Sequence, residues 1–147
     1  LEFRRVLFRS IEKGSNTHLA FENEIREKTA PFTDFQIVFT SVINKQRIFK
    51  ALEAANEAYK NRSNKISTSQ LNNTLLPIIE ASPPPMVKGK QIKIKYITQL
   101  PTNFPAFAFY CNLPQYIRDP YKRFVENKLR EQYNFTGVPL QIYFRQK

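Results

Sequence analysis

Eight cationic side chains in the C-terminal half stand at spacings that suit contact with phosphate: Lys88, Lys90, Lys93, Lys95, Arg118, Lys122, Arg123 and Arg130. Lys88 and Lys90 flank Gly89. Lys93 and Lys95 are two residues apart, which on a strand puts both on one face. The other four surround one helical stretch, beside or opposite its apolar stripe. Ammonium and guanidinium groups grip phosphate oxygens without reading a base. The whole chain points the same way: 147 residues carry 23 Lys and Arg against 12 Asp and Glu, a formal net charge of +11. Residues 62–147 hold thirteen basic and four acidic side chains, residues 11–61 seven of each, and residues 1–10 three basic and one acidic. A field of that sign attracts phosphate-rich partners and speeds encounter. A basic solubilising surface is the plainer reading of the same charge.

Other chemistry finds less support. Nucleotide hydrolysis needs a glycine-rich loop whose amides cradle phosphates, followed by a lysine and a hydroxyl for magnesium. The three glycines, at 14, 89 and 137, make no such loop. Guanine recognition needs Asn-Lys-x-Asp; Asn44-Lys45-Gln46-Arg47 imitates its first half but carries Arg47 where the acid belongs. His18 is the one histidine, without a second ligand nearby, so a metal site is not expected. Cys111 lies in a strand-like run with no catalytic partner and reads as a buried thiol. A single cysteine forms no internal disulfide, which fits a reducing compartment. Glu22 and Glu24 point to different helix faces and suit a helix N-terminus rather than acid–base work. No enzyme and no cofactor is read from these residues. No apolar run approaches the ~20 residues that span a bilayer, so the chain reads as soluble and away from membranes.

The elements that must position the cations follow from periodicity. Thr17 suits the cap of a helix through Phe21, Ile25 and Lys28, ended by Pro31. Phe35-Gln36-Ile37-Val38-Phe39 has the pattern of a strand buried on both faces. A second helix follows, with Ile48, Leu52, Ala55 and Tyr59 on one face. Helix, buried strand and helix make the end of an α/β sheet whose other strands would lie upstream. Asn61-Arg62-Ser63-Asn64 is a polar break and the expected domain boundary. Ser67-Thr68-Ser69-Gln70 fits a capping box before Leu71, Leu75, Ile78 and Ile79, with Pro77 expected to kink or shorten the last turn. Ser82-Pro83-Pro84-Pro85 forces an extended connection. From Gln91 to Gln99, Ile92, Ile94 and Tyr96 alternate with Lys93 and Lys95; Ala106–Cys111 is a second strand. Asp119-Pro120 starts a helix with Tyr121, Phe124, Val125, Leu129 and Tyr133 on its buried stripe. After Gly137 and Pro139 a last strand alternates Leu140, Ile142 and Phe144. Residues 62–147 therefore read α-β-β-α-β, with helices on one face of a three-stranded sheet: an α+β fold.

The opening Leu1-Glu2-Phe3-Arg4-Arg5-Val6-Leu7-Phe8-Arg9-Ser10 lacks the features of a secretory signal. It matches one reading frame of a common sequencing-library adapter, so residues 1–10 are expected to be an artefact and the natural sequence to begin near Ile11, inside a gene.

The ordered set Ile66-Ser67-Thr68-Ser69-Gln70-Leu71-Asn72, Pro83-Pro84-Pro85, Val87-Lys88-Gly89-Lys90, Lys93-Ile94-Lys95-Tyr96-Ile97-Thr98-Gln99, Tyr121-Lys122-Arg123-Phe124-Val125-Glu126-Asn127, Leu129-Arg130 and Phe135-Thr136-Gly137-Val138-Pro139 resembles the C-terminal KH-like domain of the bacterial Der (EngA) double GTPases. Residues 11–61 resemble the end of that family's second P-loop GTPase domain. Val38-Phe39-Thr40-Ser41-Val42 resembles its last nucleotide-contacting loop, with Ser41 and Val42 as the remnant that would touch guanine. The family more often has alanine where Val42 stands and glycine where Lys45 stands. The resemblance implies a C-terminal fragment without phosphate loop, with GTP and magnesium belonging to the intact parent. It also implies a cytoplasmic role in late assembly of the large ribosomal subunit, the eight cations contacting ribosomal RNA. KH domains normally clamp RNA through a G-x-x-G loop, and no glycine pair here has that spacing. Phe107, Phe109, Tyr143 and Phe144 offer rings for base stacking or for the sheet's core. An alternative implied role is docking on the parent's own GTPase domains to report nucleotide state, without RNA.

Overall fold

A computed structural model describes residues 16–30 and 32–146. Residues 1–15, and with them the adapter-like decapeptide, lie outside the described residues, as does Pro31. Two compact units divide between Thr33 and Asp34.

The first unit contributes helix α1, Thr17–Thr29. Asn16 rather than Thr17 takes the capping position, and its side chain makes no cap bond. Glu22 and Glu24 sit too far along the helix to serve its N-terminus. They pair instead one turn on, Glu22 with Arg26 at 2.8 Å and Glu24 with Lys28.

The second unit holds α2 (Ile48–Arg62), α3 (Thr68–Ala81), β1 (Ile94–Gln99), β2 (Ala106–Cys111), α4 (Asp119–Gln132) and β3 (Gln141–Gln146). The expected α-β-β-α-β order is what folds from α3 to β3. The sheet runs β1-β2-β3, antiparallel between β1 and β2 and parallel between β2 and β3. Leu71, Leu75 and Ile79 of α3 and Val125 and Leu129 of α4 meet Phe107, Phe109 and Ile97 of the sheet in one buried cluster. Phe135 closes it, its ring edge-on to Phe107 at 5.7 Å.

Several local expectations change. Phe35–Phe39 forms no strand; extended backbone becomes a strand only when a neighbour takes its hydrogen bonds. Helix α2 forms, but Leu52 and Tyr59 are 63% and 66% exposed, and it packs instead through Ala58, whose Cβ lies 3.1 Å from where Gly137 would carry one. Ser67 caps α3 by accepting from the Gln70 amide at 3.3 Å, the hydroxyl half of the expected capping box, and the helix continues past Pro77 to Ala81. Asp119 is the first helical residue of α4, with Arg118 before it, and its carboxylate accepts from Lys122 at 3.0 Å rather than capping.

The strand β1 departs most instructively. Its pairing steps from Ile94 opposite Cys111 to Tyr96 opposite Tyr110, so Lys95 is an extra residue in a bulge. A bulge reverses the inside–outside alternation beyond it. Ile97 is therefore fully buried and Tyr96 is 39% exposed, the opposite of what uninterrupted alternation gives.

Candidate nucleic-acid interface

The cations of the C-terminal unit are held by three devices. The first is a tight turn. Val87 and Lys90 exchange both backbone hydrogen bonds, at 3.0 and 2.9 Å, around Lys88 and Gly89 with φ of 49° and 73°. Two central residues at positive φ mark a two-residue hairpin turn of the mirror-image kind, where glycine is favoured. Lys88 and Lys90 are thus projected at a chain reversal, both exposed.

The second device fixes β1, which is an edge strand. Asn72 of α3 donates to the Ile97 carbonyl at 2.9 Å and accepts from the Ile97 amide at 2.9 Å, replacing a missing neighbour strand. Asn112 does the same just before the strand, accepting from the Lys93 amide at 2.9 Å and donating to the Gln91 carbonyl at 3.0 Å. Gln99 accepts from the Ile66 amide at 2.7 Å and donates to the Asn64 carbonyl at 2.9 Å. With backbone held at Ile97 and at Gln91 and Lys93, and the Gln99 side chain tied to the segment before α3, β1 presents Lys93 and Lys95 from a fixed base. Both line a groove with Pro83, Pro84 and the last turns of α3.

The third device is α4. Lys122 and Arg123 line a second groove with Asp119, Glu126, Leu140 just before the last strand and Ile142 within it. The two pairs of cations therefore line grooves beside opposite edge strands of the sheet, β1 and β3. Lys122 is tied to Asp119; Arg118 and Arg123 are exposed. Among the described residues, Lys88, Lys90, Lys93, Lys95, Arg118 and Arg123 have no carboxylate within ion-pair reach.

Arg130 is a different kind of residue, and its place among the phosphate-contacting cations has to be corrected. Its side chain is 14% exposed and meets Asp34 at 2.9 Å and Glu126 at 3.0 Å. It also donates to the carbonyls of Phe135 at 3.2 Å and Val138 at 3.1 Å. A guanidinium saturated by two carboxylates and two carbonyls has no donor fork left for phosphate. Its α-helical position alone gave no sign of this, because its distant partner lies before α2.

The segment expected to be a nucleotide-loop remnant is a small closed turn. Ser41 and Gln46 pair through backbone bonds of 3.1 and 2.9 Å, and the Ser41 hydroxyl accepts from the Asn44 amide at 3.3 Å. Val42 is 73% exposed. Lys45 has φ of 50°, a left-handed conformation that suits the glycine more usual at this point in the family it resembles. Ser41, Val42 and this turn supply no cluster of anions for magnesium and no array of amides for a triphosphate, so the described residues do not fit a complete nucleotide site.

Of the rings considered for stacking, Phe107 and Phe109 are fully buried and Phe144 packs on Phe109 at 5.4 Å, so all three build the core. Tyr143 is 40% exposed. Burial raises the Cys111 thiol above its ordinary range and pushes Tyr121, whose hydroxyl donates to the Ser82 carbonyl at 2.9 Å, up to about 12. Both are core groups. Among the described residues no group of three potential metal ligands exists and no helix is long and apolar enough to cross a membrane.

Residues 65–145 match the family described as the KH-domain-like, C-terminal part of EngA bacterial GTPase enzymes. The chain belongs to the EngA (Der) family. It is 57% identical over 137 residues to GTPase Der of Christiangramia forsetii, covering 93% of this chain and 32% of that protein. Against GTPase Der of Bacteroides thetaiotaomicron the identity is 59% over 137 residues, 92% of this chain and 31% of the relative. Against that of Porphyromonas gingivalis it is 57% over 136 residues, again 92% and 31%. The chain spans about a third of the length of these Der relatives, and residues 65–145 of it are their C-terminal KH-like part.

Proposed function

We propose that this EngA-type KH-like unit is a phosphate-contacting module that places its parent GTPase on ribosomal RNA during late assembly of the large subunit. The observation that carries the reading is the run Lys88, Lys90, Lys93 and Lys95: four exposed lysines within eight residues, none in an ion pair among the described residues though Glu80 lines the groove of the last two, on a turn and a strand tied down by Asn72, Asn112 and Gln99. Unpaired charge on a fixed base attracts a polyanion without first breaking an internal pair. Arg118, Lys122 and Arg123 add a second contact at the other sheet edge. Lacking a G-x-x-G clamp, the unit contacts backbone rather than reading sequence. GTP and magnesium would be held by upstream GTPase domains of a longer protein, with Ser41 and Val42 touching only the guanine.

A second reading has its own observation. Segment 34–62 already packs on the KH-like unit, through Asp34 on Arg130, the Gly137 amide on the Asp34 carbonyl at 2.8 Å, and Asn61 on the Thr136 carbonyl at 2.9 Å. If that segment moves with a GTPase domain, the unit reports nucleotide state by docking. A competition assay separates the two. The chain is titrated with large-subunit RNA in the presence of excess separated GTPase domains loaded with GTP or GDP. Retained RNA binding in both states supports the RNA reading; RNA-indifferent, nucleotide-dependent capture by the GTPase domains replaces it with the docking reading.

A further inference from the structure

The face of the sheet turned away from the buried cluster is built of rings. Cross-strand register puts Tyr96, Tyr110 and Arg145 in one row across all three strands, and Tyr143 opposite Ala108 in the next. Residues opposite one another in register share a face. Ala106 and Ala108 of the middle strand are fully buried, Thr98 opposite Ala108 and Tyr110 are half-buried, and the exposed side chains in these two rows are Tyr96, Tyr143 and Arg145. Tyr96 and Tyr110 lie 5.8 Å apart, and the Arg145 guanidinium stands 5.8 Å from the centre of the Tyr143 ring. None of this is needed for the core, which the opposite face already supplies through Phe107 and Phe109. The bulge at Lys95 is what turns Tyr96 outward, and it leaves an exposed lysine beside the ring.

We propose that this sheet face is a stacking platform for the unpaired bases of single-stranded RNA, with Tyr96 and Tyr143 as the two principal rings and Arg145 as a cationic plane beside them. The inference rests on the RNA reading above and deepens it: the lysines hold phosphates, and the tyrosines give the preference for unpaired over duplex RNA. Flat rings on a rigid strand stack any base, since every base has a π-face, and a guanidinium adds a cation–π contact. Half-exposed tyrosines on a +11 chain favour a polyanion carrying aromatic bases over an apolar protein surface.

The chain has seven tyrosines and no tryptophan, so the part of tyrosine emission that the variants at Tyr96 and Tyr143 remove reports the platform. The whole chain is titrated with an eight-nucleotide single-stranded RNA and with a blunt RNA duplex at fixed salt. The variants are Tyr96→Leu with Tyr143→Leu, and Tyr96→Phe with Tyr143→Phe. The proposal expects tighter binding of the single strand with quenched tyrosine emission. It expects a loss of at least about fivefold in the leucine pair, the weak end of what one base–aromatic stack contributes, and near-wild-type affinity in the phenylalanine pair. Equal affinity for both RNAs, or leucine variants that bind as wild type, overturns the platform while a steep salt dependence leaves the phosphate reading intact. No binding of either RNA overturns both. Capture of separated GTPase domains that the leucine pair abolishes makes the face a protein interface and also overturns the platform. Should the leucine pair unfold, Arg145→Gln, on the exposed face of β3, carries the test by the same single-strand preference.

Discussion

Arg130 of α4 and Asp34, 96 residues earlier, meet at 2.9 Å. The contact bridges the start of the compact unit to its last helix. It also accounts for a cation that resembles a phosphate ligand in the sequence and is consumed internally.

Removing that guanidinium should therefore unfold rather than unbind. Arg130→Ala leaves Asp34, Glu126 and two carbonyls without this donor and is expected to cost about 3 kcal/mol, near the lower end for breaking a buried pair. Asp34→Ala, whose carboxylate is 40% exposed, should cost about 1 kcal/mol or less. Urea unfolding measures both. An Arg130→Ala chain with unchanged stability and weakened RNA affinity would return Arg130 to the phosphate contacts.

Gly137 combines a φ of 79° with an Ala58 methyl 3.1 Å from the position of its missing Cβ. Gly137→Ala is expected to lose at least about 1–2 kcal/mol, from backbone conformation alone. Ala58→Gly in the same chain should recover only part of it, because it relieves the contact and not the φ. Full recovery in thermal melts would show that crowding alone keeps glycine there.

The carboxamide of Asn72 is the neighbour that β1 lacks. Asn72→Leu leaves the Ile97 amide and carbonyl unpaired, at an expected cost of about 1–3 kcal/mol. Asn72→Asp still accepts from the amide but opposes the carbonyl, and should fall between. Hydrogen exchange at the Ile97 amide reads the effect locally: protection there should drop most in the leucine variant.

Burial holds the Tyr121 hydroxyl up to about 12 against an ordinary value of 10.0. The unfolded chain releases this proton first as pH rises, so between about pH 10 and 12 the unfolded state binds fewer protons and stability falls. Tyr121→Phe removes this loss. It should be less stable than wild type near neutral pH, through the lost bond to Ser82, and should close the gap as pH climbs through 10. Parallel pH–stability curves for the two proteins would contradict the assignment.

The sequence made the order α-β-β-α-β legible because each element carries its own local signal: the Ser67 cap, the Pro120 start, the stripe from Tyr121 to Leu129. It left Tyr96 on the wrong face because a bulge is a property of two strands together, and nothing in Lys95 announces one. The exposed side of α2 escaped for a related reason. Leu52 and Tyr59 obey helical periodicity, but which face is covered depends on where Gly137 comes to rest. Of the candidate site, the lysines were readable by type and spacing. Arg130's commitment was not, since Asp34 is distant in sequence; of the tyrosine face only Tyr143 was named, because the face exists only once register is fixed.

The salt dependence of RNA affinity for the whole chain, compared between wild type and Lys93→Glu with Lys95→Glu, tests the central claim most directly. Each lysine lost from a phosphate should flatten the plot of log affinity against log salt by about 0.7, the single-strand value per contact, so the double variant should flatten it by about 1.4 and bind more weakly at every salt. A wild-type affinity indifferent to salt, or a double variant with unchanged slope and affinity, would contradict phosphate contact by this strand.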